Sequence, residues 1–314
     1  MTTIPRETDF NEAPDLLEGA LNLDLTAEQC DIEYWLHASA QGTLRNLVHG
    51  HRPDLKVPQY LLDPGPLRES VLEEYAFRTV VEEYGTRCVA YMVQSAPTRA
   101  TLEFYVTQLF DEARHFSVFR HHLIELGIRE EKMAAFLRER TRFGHDQVLG
   151  PLLKFALDDA NGRNDFYVAV VMLTVIVEGV LAPSSEMSER KWKVLDPLAA
   201  DVARTANIDE IRHLCVGSSI VRQHLREHPE ERERLGGLMM QGMQLWKTIP
   251  IKDLIVQREV LFQQGMLSAR DVLGDYELVP GRRLIDTTVE ERLGIQMEWS
   301  TALQTKRLQY MGLA

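Results

Sequence analysis

Cysteine is scarce in this chain: there are only three, Cys30, Cys88 and Cys215, in 314 residues. They are widely separated and odd in number, and no CxxC pair or zinc-type spacing occurs among them. Small folds stapled by disulfides and cysteine-ligated zinc modules both depend on such spacings. The sequence therefore argues against both classes and favours a reducing, cytoplasmic setting.

Runs of basic residues and long uninterrupted apolar stretches are also lacking. The net charge is -12 at pH 7 and no Lys/Arg run occurs, so we expect no nucleic acid partner. Residues 1–15 have no apolar core, so we expect no signal peptide. The most apolar run, 166–182, is short for a membrane span and contains Glu178, which predicts a buried helix and no membrane partner.

Sustained alternation of apolar and polar residues, the pattern of a half-buried strand, is missing as well. The composition, 45% hydrophobic and 26% charged, is that of a globular protein. No linker is evident, so we predict a single all-α domain over 1–314, with a helical bundle core at 67–225 and accessory helices before it and at 226–314. The predicted helices cover about 26–47, 67–95, 98–126, 130–140, 164–181, 198–224, 230–247, 252–267 and 289–310, with loops at 50–66 and 274–283.

One pentapeptide, Asp-Glu-x-Arg-His, occurs twice, at 111–115 and at 209–213. On a helix, each copy places its Glu and His three residues apart on one face, where both can ligate one metal ion. Two such helices facing each other can hold two metal ions, provided that two further helices each supply a glutamate. The predicted ligands from the pentapeptides are Glu112, His115, Glu210 and His213.

The glutamate missing from the second half is predicted to be Glu178. It is the only acidic or basic residue in the run 166–182. A lone buried carboxylate is costly unless it is paired, protonated or bound to metal. The alternative is a protonated or hydrogen-bonded core glutamate. Glu178 precedes Glu210 by about thirty residues, which lets the chain ascend one helix, turn and return to the same height.

The corresponding glutamate of the first half is one of two neighbours. Glu82 and Glu83 both lie about thirty residues before Glu112, so the spacing does not choose between them. Helical phase places Glu83 nearer the apolar side of its helix, which includes Val80, and places Glu82 with Arg78. We select Glu83 and keep Glu82 as the alternative.

The Asp and Arg of each pentapeptide have an expected supporting role. A ligating imidazole usually donates its second N–H to a carboxylate or carbonyl. Asp111 and Asp209 can accept these hydrogen bonds across the bundle, with Arg114 and Arg212 neutralising them. The alternative is that these four residues form surface ion pairs along their own helices.

The ligands predicted from the sequence are four carboxylates and two imidazoles. Such a set suits iron or manganese, and the ligand types alone do not exclude zinc. The four carboxylates also balance the charge of two divalent ions, which makes a buried cluster electrostatically feasible.

At these residues the chain resembles the ferritin-like di-iron carboxylate proteins. The pentapeptide is similar to that of bacterial multicomponent monooxygenases and of relatives of the small ribonucleotide reductase subunit. This resemblance covers about 70–225 and implies a ferritin-like four-helix bundle. Three residues depart from known subclasses. Phe119 occupies the position of the radical tyrosine of the reductase subunit. Ala182 occupies the position of a threonine of hydrocarbon monooxygenases, and Ala206 occupies the position of a histidine of arylamine N-oxygenases. The chain also resembles the di-iron oxidase of valanimycin-type azoxy biosynthesis.

The resemblance implies an O₂-dependent non-haem di-iron oxygenase or oxidase acting on a small molecule. One form of this activity is N-oxidation, of an amine or hydrazine to an azoxy or other N-oxygenated product in natural-product biosynthesis. A ferroxidase or iron-handling protein is the alternative. The expected cofactors are two iron ions, or manganese, with O₂ as co-substrate. The sequence has no phosphate-binding loop for flavin or nicotinamide, so we expect a separate reductase or ferredoxin as electron donor. The oligomeric state that we consider for this protein is a homodimer.

Overall fold

The computed structural model describes residues 4–156 and 165–314, and in these ranges the chain is predominantly helical. A two-stranded antiparallel hairpin, β1 (Glu277–Val279) and β2 (Arg282–Arg283), lies within the predicted loop at 274–283. π-Helical segments occur at His145–Leu149 and Val171–Glu178. The α-helices are α1 (Leu16–Asn22), α2 (Ile32–His37), α3 (Ser39–Gly42), α4 (Gln59–Leu62), α5 (Pro66–Ser95), α6 (Arg99–Glu125), α7 (Met133–Arg140), α8 (Arg142–Gly144), α9 (Gly150–Lys154), α10 (Phe166–Val170), α11 (Gly179–Leu195), α12 (Pro197–Glu227), α13 (Arg232–Thr248), α14 (Ile251–Ser268), α15 (Arg270–Leu273) and α16 (Val289–Met311).

Four long segments form the central bundle: α5, α6, the continuous helix from α10 to α11, and α12. Along the chain, α5 packs on α6 and α11 packs on α12, while α12 contacts α6 and closes the bundle. Their starts follow from local sequence. Pro66 and Pro197 occupy first turns, where a missing N–H costs nothing. Thr98 and Thr101 form a capping box at the start of α6.

The interior of the bundle is divided into two apolar layers with a polar band between them. On α6, Phe104 and Tyr105 belong to one layer, and Val118 and Phe119 belong to the other. The pentapeptide at 111–115 falls between these two pairs. The same division occurs on α12, where Ala206 and Val216, in opposite layers, flank the second pentapeptide. Both pentapeptides are therefore buried at one level of the bundle.

The accessory helices cover the outside of this bundle. Helix α1 packs on α12, α13 packs on the π-helical segment before α11, α14 packs on α5, and α16 packs on α11 and α12. The indole Nε1 of Trp246 on α13 donates a 2.5 Å hydrogen bond to the carbonyl oxygen of Ile176. This bond satisfies a backbone group of the π-helical segment, where the regular hydrogen-bond pattern of the α-helix is interrupted.

Contact between α14 and α5 depends on Gly265. A Cβ atom at this position would lie 2.4 Å from the backbone nitrogen of Leu67, which cannot move independently of its helix. We expect Gly265→Ala to lower the free energy of unfolding by about 1–3 kcal/mol, measured by urea denaturation. The matched control is Gly237→Ala on α13, where a Cβ meets nothing within 4 Å, so that helix propensity should raise stability. Equal or greater stability of Gly265→Ala would refute this close packing.

Two predicted boundaries are wrong. The predicted helix at 26–47 is instead the pair α2 and α3, and Asp31 caps α2 by accepting from the Tyr34 amide at 2.8 Å. The helix predicted to end before Pro183 continues to Leu195 with that proline inside it. Packing against α12 and α16 outweighs the backbone hydrogen bond that Pro183 cannot make. The sequence also missed α1, whose Leu16 and Ala20 are buried. Of the stretch 144–163, left unassigned from the sequence, the part from 157 onward lies outside the described residues.

The helix Phe166–Leu195 is, in the described ranges, the one helix long and apolar enough to cross a membrane. Its most apolar window has a mean hydropathy of 2.1, and 67% of that window is buried inside the protein. A buried core helix meets the same criterion of length and composition, so this helix is weak support for a membrane span.

Candidate metal centre

The two pentapeptides bring their Glu and His side chains together in the polar band of the bundle. Residues from α5 and from the end of the π-helical segment join them there. Two groups of side chains have ligand atoms within 4.8 Å of one another, and Glu112 belongs to both. The first group is Glu82, Glu112, His115 and Glu210, and the second is Glu112, Glu178 and His213.

Both imidazoles direct Nδ1 toward the carboxylates. His115 Nδ1 lies 3.5 Å from Glu82 Oε2 and 3.7 Å from Glu210 Oε1. His213 Nδ1 lies 3.3 Å from Glu112 Oε1 and 3.6 Å from Glu210 Oε1. The two histidines, 6.2 Å apart between ring centroids, thus present the same ring nitrogen to a shared space.

Three buried atoms facing this space make no hydrogen bond within the described residues: Nδ1 of His115, Nδ1 of His213 and Oε2 of Glu178. Buried polar atoms are almost always satisfied, because an unsatisfied one carries its full desolvation cost. Imidazole nitrogens and carboxylate oxygens are also the donors that iron and manganese accept. These residues therefore fit a pair of divalent ions.

The electrostatics of the cluster indicate a need for cations. Burial raises the pKa of Glu178 well above its ordinary value, and nearby Glu210 and Glu112 raise it further. Burial also raises the pKa of Glu112. Burial would lower the pKa of His213, but Glu210 and the other carboxylates around this ring raise it well above its ordinary value. Protons or metal ions must neutralise the carboxylates, and metal binding would release those protons.

Each histidine is held from behind by the aspartate of the other pentapeptide. His115 Nε2 lies 3.3 Å from Asp209 Oδ2, and His213 Nε2 lies 3.3 Å from Asp111 Oδ2. Arg114 Nη2 donates to Asp209 Oδ2 at 2.6 Å, and Arg212 pairs with Asp111. Both aspartates are buried, so these are not surface pairs. The crossing arrangement fixes both ring orientations and leaves each Nδ1 free for a ligand.

The N-terminal segment contributes to this support in a way that the sequence did not predict. Trp35 Nε1 on α2 donates to Asp111 Oδ1 at 2.9 Å, and Arg212 donates to Ser39 Oγ at 2.5 Å. No local pattern marks Trp35 or Ser39, because their partners lie more than seventy residues away. The short helices α2 and α3 therefore cover the outer side of the Asp111–Arg212 ion pair.

Of the two neighbouring glutamates on α5, Glu82 lies in the cluster and Glu83 does not. The Glu83 side chain is 45% exposed and pairs with Arg87 at 2.7 Å on the outer face of the helix. Glu82, 14% exposed, lies against His115. The preference for Glu83 from helical phase is therefore corrected. Helix α5 packs against both α6 and α14, so its apolar residues do not mark a single inward face.

Gln108 is a further site residue that the sequence analysis missed. Its Nε2 donates to Glu178 Oε1 at 2.9 Å and to Glu112 Oε1 at 3.3 Å, which links glutamates on different helices. Its position four residues before Glu112 puts it on the same helix face, and that spacing is the signal that could have identified it. Gly85 is close as well: a Cβ there would approach Glu112 Oε2 to 3.1 Å.

A cavity of about 410 Å³ adjoins the cluster. Glu82, Glu112, Glu178 and Glu210 all line it, and most of its remaining surface is apolar. Helices α14 and α16 form its far wall. Ala182 and Ala206 also line the cavity, and their small side chains leave space near the carboxylates. The volume and lining are those of a small-molecule site.

No protein-family model matches the chain, and no curated protein matches its sequence. A solved structure described as an "R2-like ligand-binding oxidase with aerobically reconstituted metal cofactor after photoconversion" has a similar fold. The TM-score is 0.56 at 18% sequence identity, over 81% of this chain and 86% of that chain. This likeness confirms the predicted fold class, an all-α ferritin-like bundle with additional helices. At this identity the likeness shows the fold alone.

Proposed function

We propose that this protein is a di-metal oxidase, and more specifically an O₂-dependent di-iron oxygenase or oxidase of a small molecule. The observation that carries this proposal is the convergence of unsatisfied histidine and glutamate donor atoms beside an apolar cavity, which the four glutamates of the cluster line. The similar fold of a solved R2-like ligand-binding oxidase supports the same class.

The proposed ligands are Glu82, Glu112, His115, Glu178, Glu210 and His213. When bound, two iron ions would supply the electrons and the Lewis acidity needed to activate O₂. The protein residues have separate tasks. Asp111 and Asp209 hold the imidazoles in one tautomer, and Arg212 and Arg114 pair with these aspartates. Gln108 fixes the carboxylate orientation of Glu112 and Glu178 through its two hydrogen bonds.

The cavity provides the conditions that such a reaction requires. Its apolar walls exclude water from the reacting centre and hold the substrate against the carboxylate cluster. We propose oxidation at nitrogen as the narrower form of the activity, on an amine or hydrazine. A separate protein or small reductant would supply electrons.

Anaerobic loading with Fe(II) followed by O₂ tests this function. We expect a transient visible chromophore whose decay accelerates when an amine or hydrazine substrate is present. Glu178→Ala is the control variant, because it removes a ligand and should abolish the chromophore. Accumulation of ferric mineral without a transient species would instead indicate an iron-handling protein and refute the oxidase proposal.

A further inference from the structure

A buried charge network lies beside the cavity, on the side formed by α5, α11, α14 and α16. It contains two carboxylates, Glu74 and Glu259, which are 3% and 2% exposed. Four cationic side chains surround these two carboxylates. The cations are Arg78, Lys191, Arg258 and Arg292.

Three of these cations use their N–H groups within the protein. Arg78 donates to the Ser184 carbonyl oxygen at 2.9 Å and contacts Glu74 at 3.4 Å. Lys191 pairs with both carboxylates. Arg292 donates to Glu259 Oε2 at 2.5 Å. Each of these three side chains therefore has hydrogen-bond partners within the fold, although Nε of Arg78 has none among the described residues.

Arg258 differs from the other three. It is 8% exposed, yet its guanidinium donates no hydrogen bond to any described residue, and only its backbone carbonyl accepts one, from Ser70. The guanidinium lies 5.8 Å from the Phe77 ring centroid. Burial lowers the pKa of Arg258, and the field of Glu74 only partly opposes this effect. Arg258 lines the cavity, and its guanidinium has no hydrogen-bond partner among the described residues, so it is free to pair with an anionic ligand there.

The cavity has space for a ligand of Arg258. Arg258, Ile251 and Ile255 line it from one face of α14. Along α5, Phe77 and Glu82 line the same cavity and lie five residues apart, which corresponds to about 7.5 Å at the helical rise per residue. A single small molecule can therefore extend from the guanidinium to the carboxylate cluster.

We propose that Arg258 binds the carboxylate of the substrate, and that this protein acts on a carboxylic acid with an apolar middle, whose opposite end carries the nitrogen to be oxidised and reaches the metal centre. This inference rests on the proposed function and adds the substrate class to it. A planar guanidinium matches a carboxylate with two parallel hydrogen bonds, and such charge-assisted bonds are strong in an apolar cavity. Lys252, exposed on the same cavity lining, adds positive charge there.

Binding of three isosteric probes to the Fe(II)-loaded protein under argon tests the proposal: phenylbutyrate, its primary amide and phenylbutylamine. We expect the acid to bind at least about tenfold more tightly than the amide, with the amine weakest, because one charge-assisted hydrogen bond supplies that factor. In Arg258→Met, acid affinity should fall to the level of the amide, while amide affinity stays unchanged. Isothermal titration calorimetry measures all three affinities.

The controls distinguish the effect of the guanidinium on acid binding from the effects of the metal ions and of net charge. Arg222→Met removes an arginine of α12 that does not line the cavity, and it should leave the acid preference intact. Arg258→Lys is the second variant, to be used if Arg258→Met fails to fold. It keeps the positive charge but loses the two parallel N–H donors of the guanidinium, so its affinity for the acid should lie between that of the wild type and that for the amide. An acid preference that survives in Arg258→Met, or that is missing from the wild type, would overturn the proposal. Iron content and the O₂ chromophore are measured separately, so failure of the oxidase function is distinguishable from failure of acid recognition.

Discussion

Replacing Glu82 with glutamine should weaken binding of one metal ion by more than about 100-fold, whereas Glu83→Gln should leave metal content unchanged. Loss of supporting partners costs metal affinity about 10–100-fold, and loss of a direct ligand should cost more. Glu82 lies 3.5 Å from His115 inside the polar band, and Glu83 pairs with exposed Arg87. Anaerobic Fe(II) titration followed by metal analysis of the desalted protein measures the difference.

These two variants form a matched pair, because they make the same chemical change at adjacent positions of one helix. Glu178→Gln is a second test of the site, since Glu178 Oε2 has no hydrogen-bond partner among the described residues. We expect its metal loss to resemble that of Glu82→Gln. If Glu83→Gln lost metal and Glu82→Gln retained it, the ligand assignment on α5 would be wrong.

Replacing Arg212 with glutamine should destabilise the metal-free protein by about 3–5 kcal/mol, because it leaves the buried carboxylate of Asp111 without its paired arginine. Arg212 is 3% exposed, pairs with Asp111 and lies 3.6 Å from Asp209 Oδ1. The variant should also bind Fe(II) about 10–100-fold more weakly, since Asp111 orients His213. Urea denaturation and Fe(II) titration measure the two effects.

Arg87→Gln is the control for this variant, because it removes an arginine from an ion pair at the surface. Its side chain is 69% exposed, so its loss should produce no measurable change in stability or in metal affinity. A stability of Arg212→Gln equal to that of Arg87→Gln would show that Asp111 and Asp209 do not depend on this arginine.

The repeated pentapeptide shows how far local sequence reaches. Spacing along a helix determines which residues share a face, so Glu112 and His115 were identified as a pair before any fold was known. Glu178 was identified for a similar reason, because one carboxylate in an otherwise apolar run is visible without tertiary information. Its place at the shared cluster follows from the helical arrangement.

Glu82 and Glu83 show where this reasoning stops. Adjacent residues on a helix differ by about 100° in direction, and the hydrophobic pattern must resolve that angle. Helix α5 packs against both α6 and α14, so apolar residues occur on more than one side of it. The inward direction at Glu82 is thus a property of the assembled bundle.

The sequence by itself determined the helical class, the core helices and the donor types, because these depend on periodicity and on residues a few positions apart. Tertiary structure alone decided which glutamate of α5 enters the cluster, the support of Asp111 by Trp35, and the unpaired Arg258 at the cavity wall. These features join residues far apart in the chain, and no local spacing encodes such contacts. They arise only when the helices pack and each side chain meets its neighbours.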